Sequence, residues 1–178
     1  MVMAHQQQFD FVSAVARFYP DNFVNCKVLE VGSLDINGSV RQFFKDCNYI
    51  GIDLGIGKGV DIVCTGQDYD APDNEFDTII SCECFEHNPD WVATFQNMHR
   101  MTKPNGLIVM TCATTGRAEH GTKRTSPADA PFCHDYYKNL TEQDFVENFD
   151  LDSMFSICEF GVGEVTKDLY FYGVKKLL

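Results

Sequence analysis

Five short runs of this chain read as β-strands that carry apolar residues on both faces. They are Lys27–Val31 (KVLEV), Tyr49–Leu54 (YIGIDL), Asp61–Thr65 (DIVCT), Phe76–Cys82 (FDTIISC) and Leu107–Ala113 (LIVMTCA). Such strands need cover on both sides, and stretches of helical spacing lie between and around them. The pattern implies a parallel sheet between two layers. The end of the chain adds a second constraint. Ser153–Phe160 and Asp168–Lys175 are also strand-like, and only Gly161–Lys167 joins them. A parallel crossover needs about a dozen residues, so this pair is expected to form an antiparallel hairpin. The expected fold is α/β, a Rossmann-like three-layer sandwich. Its seven-stranded, mostly parallel sheet ends in an antiparallel last strand, as one domain over residues 1–178.

The helices follow from spacing and capping. Phe11, Val12, Val15, Phe18 and Tyr19 share one helical face, which predicts a helix over 6–19, stopped by Pro20-Asp21-Asn22. Ser39-Val-Arg-Gln42 fits a capping box and predicts a helix through about Phe44. Asn88-Pro89-Asp90 opens a helix with Trp91, Val92, Phe95, Met98 and Met101 inward, closed by Lys103-Pro-Asn-Gly106. Thr141-Glu-Gln-Asp144 opens the last helix, with Phe145 and Phe149 inward. Residues 55–60 (GIGKGV) are too few for a helix, so the sheet face there is expected to be thinly covered.

Composition narrows the partners. With 14 Lys+Arg against 26 Asp+Glu the formal charge is −12, which argues against bulk binding to nucleic acid or anionic lipid. No run reaches the roughly 18 apolar residues of a membrane helix, and Met1–Gln8 lacks a signal-peptide pattern. The eight cysteines contain no CxxC pair and read as small apolar residues of a reducing compartment. A cytoplasmic location and no membrane association are expected.

The chemistry concentrates at strand ends. Glu30-Val-Gly32 closes the first strand, where a nucleotide-like ligand binds in such sheets, and Asp53 closes the second. A carboxylate there can accept from both hydroxyls of a ribose. A dinucleotide fingerprint needs a middle glycine that Gly32-Ser-Leu-Asp-Ile-Asn-Gly38 lacks, which disfavours a nicotinamide oxidoreductase. Tyr172 and Lys176 form a Tyr-x-x-x-Lys pair, but on the last strand, away from the ligand edge.

Taken together, Val28-Leu-Glu-Val-Gly32, Gly51-Ile-Asp53, Phe76-Asp-Thr-Ile-Ile-Ser81 leading to Phe85-Glu-His87, and Lys103-Pro-Asn-Gly106 resemble the class I S-adenosylmethionine-dependent methyltransferases. The likeness is to the type 11 kind and spans nearly the whole chain. It implies S-adenosylmethionine as cofactor. Glu30, Gly32 and Ser33 would surround its methionine part. Asp53 would hold the ribose, Leu54 would lie against the adenine, and Gln67 or Asp68 would accept from the adenine amino group. Ser81 and Cys82 would lie near the sulfonium. Leu34 and Ile36 stand where the family often has glycines, so the first loop should take its own path.

His87 is the candidate catalytic residue, a neutral imidazole able to take a proton from the acceptor; packing the cofactor pocket is its structural alternative. Residues 114–140 form a long loop at the ligand edge of the sheet. Arg117, His120, Lys123 and Arg124 face only Glu119 in its first part, which suggests recognition of a carboxylate or phosphate, or simply a solvated loop. His134 and Tyr136 in its second part offer a polar contact and an aromatic wall. Arg117, His120, His134 and Tyr136 are thus the substrate candidates. Cys82/Cys84 and Cys133-His134-Asp135 lack structural zinc spacing, so no metal is expected. The expected activity is methyl transfer to a small-molecule acceptor. A noncatalytic cofactor-binding or interaction module of the same fold is the alternative.

Overall fold

A seven-stranded mixed sheet organises residues 6–177, the part of the chain that the computed structural model describes. The strands are β1 (Lys27–Val31), β2 (Asn48–Asp53), β3 (Ile62–Val63), β4 (Phe76–Cys82), β5 (Thr102–Ala113), β6 (Phe155–Val162) and β7 (Asp168–Lys175). Their spatial order is β3-β2-β1-β4-β5-β7-β6. The first five are parallel, and β7 runs antiparallel to both β5 and β6. The hairpin expected from its short link is therefore present, and β7 has the bounds read from the sequence.

Strand alternation decides which layer each residue joins. Val28, Ile80, Leu107 and Val109 meet Val12 and Val15 of α1 (Gln6–Phe18) on one face. Leu29, Ile79, Ile108 and Met110 meet Phe95 and Met98 of α2 (Trp91–Met101) and Phe145 of α3 (Glu142–Asn148) on the other. The one-turn α4 (Leu151–Met154) leads straight into β6. Thr141 and Asp144 close a reciprocal capping box at α3. The carbonyls at the end of α2 are met by the buried Lys175 ammonium, which donates to His99 O at 2.7 Å and Thr102 O at 2.8 Å.

Three local expectations are corrected. The stretch after Ser39 is a single 3-10 turn, Val40–Phe43, and not a helix. Phe44 leaves that turn extended because its ring stacks on Phe23 at 4.5 Å and Lys45 bridges to Val24, so tertiary pairing overrides the cap. The third strand shrinks from five residues to two, with Ile62 and Val63 exposed at the sheet edge. Phe18, expected on the inner face of the first helix, is 82% exposed because the helix ends there. No helix follows β2, as the short 55–60 link implied. In β5, the register with β4 jumps from Phe76↔Thr102 to Thr78↔Leu107, so Lys103–Gly106 bulges out of the ladder.

The strand order reverses at β1, which has β2 on one side and β4 on the other. Connections leaving β1 and β4 therefore diverge, and a crevice opens at their carboxyl ends.

Candidate functional site

A cavity of about 330 Å3 occupies that crevice. Its floor is made by the ends of β1, β2 and β4, through Glu30, Gly32, Ser33, Asp53, Leu54 and Cys82. Cys64–Gln67 forms one side, and Ala130–His134 of the long loop faces it across the opening. Gln8 of α1 and His87, in the 3-10 turn Phe85–His87 after β4, complete the lining.

The first loop takes a path set by Asp53. The Leu34 N–H donates to Asp53 Oδ2 at 3.0 Å and the Leu54 N–H to Oδ1 at 2.7 Å. Burial pushes the Asp53 carboxyl above its usual range, opposed by these backbone donors. Each oxygen keeps a second lone pair for a ligand hydroxyl. Gly32 sits at φ +80°, where a Cβ would lie 2.6 Å from the Cys84 Cβ, so only glycine lets the turn close. Asn97 of α2 holds the opposite side by donating to Gly66 O at 2.8 Å and Tyr69 O at 3.0 Å.

Four lining residues carry buried polar atoms with no hydrogen-bond partner among the described residues: Gln8 Oε1, Glu30 Oε2, Ser33 Oγ and His87 Nδ1. Burial raises the Glu30 carboxyl to about 7, against the pull of the Tyr49 hydroxyl and Arg41. Burial and the neighbouring His120 ring lower His87 to about 4, so it is neutral at physiological pH.

Asp68, Ser81, Arg117, His120 and Tyr136 lie outside the lining. Asp68 turns back to accept from Thr65 Oγ1 at 2.7 Å, which leaves Gln67 as the acceptor at the cavity edge. Ser81 is buried beneath the floor and donates to Val31 O at 2.8 Å. Arg117 points into the protein, where it donates to Thr166 O at 2.7 Å and pairs with the buried Asp168 at 3.3 Å. Arg124 pairs with Glu119 at 2.8 Å, so the expected basic patch is partly neutralised within the loop. His120 stacks edge-on against His87, with ring centroids 5.0 Å apart. Tyr136 lies outside the lining and engages His87 through its backbone. Of the substrate candidates only His134 reaches the cavity. Sequence reasoning missed Gln8, because a lone glutamine on an amphipathic helix carries no spacing signal, and Cys84, whose role is steric.

A nucleoside-sized cavity at the reversal point of a seven-stranded sheet with an antiparallel β7 defines a cofactor-binding α/β fold. Residues 3–137 match the sequence model of a methyltransferase domain, and the chain belongs to that family. Phosphoethanolamine N-methyltransferase 2 of Caenorhabditis elegans is 32% identical over 75 residues, covering 42% of this chain. The match spans only 16% of that curated relative. Among solved structures, the Burkholderia thailandensis 1,6-didemethyltoxoflavin-N1-methyltransferase, bound to its substrate and S-adenosylhomocysteine, superposes with a TM-score of 0.66 at 14% identity. It covers 95% of this chain and 78% of its own. The Haemonchus contortus phosphoethanolamine N-methyltransferase 2, bound to phosphomonomethylethanolamine and S-adenosylhomocysteine, gives 0.65 at 17% identity, covering 94% and 52%.

The lining fits S-adenosylmethionine, the cofactor of that family. Its ammonium, hydroxyls and sulfonium are donors or cations, and the floor offers carboxylates and unpaired oxygens to meet them.

Proposed function

We propose that this chain binds S-adenosylmethionine in the cavity and transfers its methyl group to a small-molecule acceptor admitted beneath the 114–140 loop. The observation that carries the reading is the cluster of unpartnered buried polar atoms around one cavity at the strand ends. A buried polar atom left unpaired costs about 1–3 kcal/mol, so its retention points to a polar ligand. Bound S-adenosylmethionine would supply an electrophilic methyl group. The chain's part is to hold and orient it. Asp53 accepts the ribose hydroxyls, Glu30 and Ser33 take the methionine end, and Leu54 and Gln67 meet the adenine. Cys82 lies beside the reacting end.

The acceptor side is formed by Gln8, His87 and His134. His87 is the proposed catalytic group, because the residue lines the cavity, its imidazole is neutral and its Nδ1 is unpartnered. The small-molecule reading is supported by the acceptors named for the Burkholderia and Haemonchus enzymes. Eight free cysteines support action in a reducing, cytoplasmic setting. No helix among the described residues is long and apolar enough to cross a membrane.

Isothermal titration with S-adenosylhomocysteine tests the cofactor site. The wild-type chain should bind it, and Asp53→Ala should weaken binding about 100-fold, as loss of charge-assisted bonds to two hydroxyls implies. Absence of binding by the wild type, or full affinity in Asp53→Ala, would sink the reading. Turnover against a panel of small amines and hydroxy compounds, phosphomonomethylethanolamine among them, then separates an enzyme from a binding module.

A further inference from the structure

Behind the His87 wall lies a polar cluster that methyl transfer leaves unexplained. Glu86 is fully buried, and neither of its carboxylate oxygens has a well-formed hydrogen bond. The backbone amides of Glu86 itself and of Ala113 approach the carboxylate and ease its burial only in part. Its other neighbours are acidic. Glu83 and Asp168 lie beside it, and Glu83 is close enough to share a hydrogen bond with it. Against these carboxylates the structure sets the Arg117 guanidinium, paired with Asp168. A buried carboxyl in such company either holds a proton or meets a cation.

Two imidazoles complete it. The His87 ring bonds to the Tyr136 backbone on one side, and its Nδ1 is unpartnered. His120 Nδ1 lies 3.1 Å from Ala118 O, which fixes the proton there and leaves the Nε2 lone pair free. Each ring is thus anchored to a backbone carbonyl through one nitrogen and offers the other. Metal-ligating histidines are oriented in the same way. One ligand atom from each of Glu86, His87 and His120 lies within 4.8 Å of the others. A tetrahedral centre with bonds of about 2.1 Å needs them roughly 3.4 Å apart, so the three groups must draw together by up to about 1.4 Å on binding. Gly121, at φ +70°, makes the approach possible. A Cβ there would stand 2.7 Å from His87 Cε1 and hold the loop off.

We propose that Glu86, His87 and His120 form a binding site for a divalent transition-metal ion at the wall of the cavity. Two imidazoles and one carboxylate suit zinc, cobalt, manganese or iron(II) better than magnesium or calcium, which prefer all-oxygen sets. The ion ties the 114–140 loop to the end of β4 and offsets the buried carboxylates. When it is bound, the His87 lone pair serves as ligand and not as proton acceptor. Spacing could not disclose the site, because His120 comes from a loop far along the chain from Glu86-His87.

The test is titration of the chelator-stripped chain with Co2+ alone, read by calorimetry and by visible d–d absorption. The wild type should take up one Co2+ per chain with a visible band and a raised Tm. His120→Ala removes a half-buried loop ligand, and Glu86→Gln keeps the packing while removing the charge. Each should weaken Co2+ binding by more than the about 10–100-fold that groups merely orienting a ligand are worth. No uptake by the wild type, or wild-type affinity in both variants, overturns the proposal. S-adenosylhomocysteine titrated into the same samples reports on the cofactor site separately, so either reading can fail without the other.

Discussion

The strand-end wall of the cavity and the loop wall facing it are held by different kinds of bond. Glu30, Gly32, Asp53 and Cys82 sit where they do because β1, β2 and β4 are in register, Glu30↔Gly51 and Glu30↔Ile80, over buried apolar residues on both faces. The loop wall has little such ladder. Its ends are pinned by Leu140 N to Ala113 O and Lys138 N to Glu86 O, at 2.9 and 2.8 Å. Its interior is held by local polar pairs such as Lys123 N to Asp135 Oδ1 and Thr122 Oγ1 to Glu119. A wall built on strands can fix a constant ligand, while a wall built on loop contacts can change with the acceptor. The difference also sorts side chains. On the strand wall Asp53 is met by backbone amides and Glu30 keeps an unpartnered oxygen, while Arg117 and Arg124 on the loop are paired with carboxylates.

The sharpest way to break that contrast is Arg117→Ala. If Arg117 is an anchor, its loss strands the buried Asp168 beside Glu83 and Glu86. Stability should then fall by about 3–5 kcal/mol, a Tm decrease of roughly 10 °C for a chain of this size. Thermal unfolding checks it. An unchanged Tm with a raised KM for the acceptor would instead make the residue part of substrate recognition and the loop wall a second charged binding surface.

Glu30 gives the next largest effect. Its folded pKa is about 7 against an ordinary value of 4.5, so the folded state holds the extra proton between those values. Without ligand, the stability it contributes is fully present below about 4.5 and is lost as pH rises through 7. The amount is at most about 3 kcal/mol. Glu30→Gln should remove that slope from denaturant midpoints measured across pH 4 to 8. Cofactor binding, which favours the carboxylate, should release a proton near pH 6 in the wild type and none in the variant.

Gly32→Ala probes the same wall sterically. Left-handed backbone costs an alanine about 1–2 kcal/mol, and the new Cβ must also displace Cys84. S-adenosylhomocysteine affinity should drop about tenfold by calorimetry, with a stability loss near 2 kcal/mol. Unchanged affinity would mean that the turn does not shape the cofactor end.

The two walls are unequally legible in the amino-acid sequence. Strand-end residues can be placed from it because apolar runs mark strand ends to within a residue or two. Glu30, Gly32, Asp53, Leu54 and Cys82 all reach the cavity. The exceptions have specific causes. Ser81 belongs to the same strand end as Cys82, but alternation turns it into the sheet interior. Asp68 is captured by its own turn. A capping pattern at Ser39 shows where a turn starts, but the Phe23–Phe44 stack decides that it stops after one turn. On the loop, charge counting yields a basic cluster. It cannot show that Asp168, far along the chain, comes to Arg117, or that Glu86-His87 faces His120.

Arg124→Ala should produce the smallest change and tests the loop wall alone. The guanidinium is exposed and pairs with Glu119 in water, where such pairs contribute little to stability. Tm and S-adenosylhomocysteine affinity should stay at wild-type values, and the acceptor KM should move less than about twofold. If KM rises further for acceptors bearing a carboxylate or phosphate, and the rise fades with added salt, the acceptor is exchanging with Glu119 for the guanidinium. The loop pairs would then be placeholders that a substrate displaces, and the loop wall would read charge after all. A flat response to both acceptor charge and salt would leave recognition with Gln8, His87 and His134 at the cavity itself.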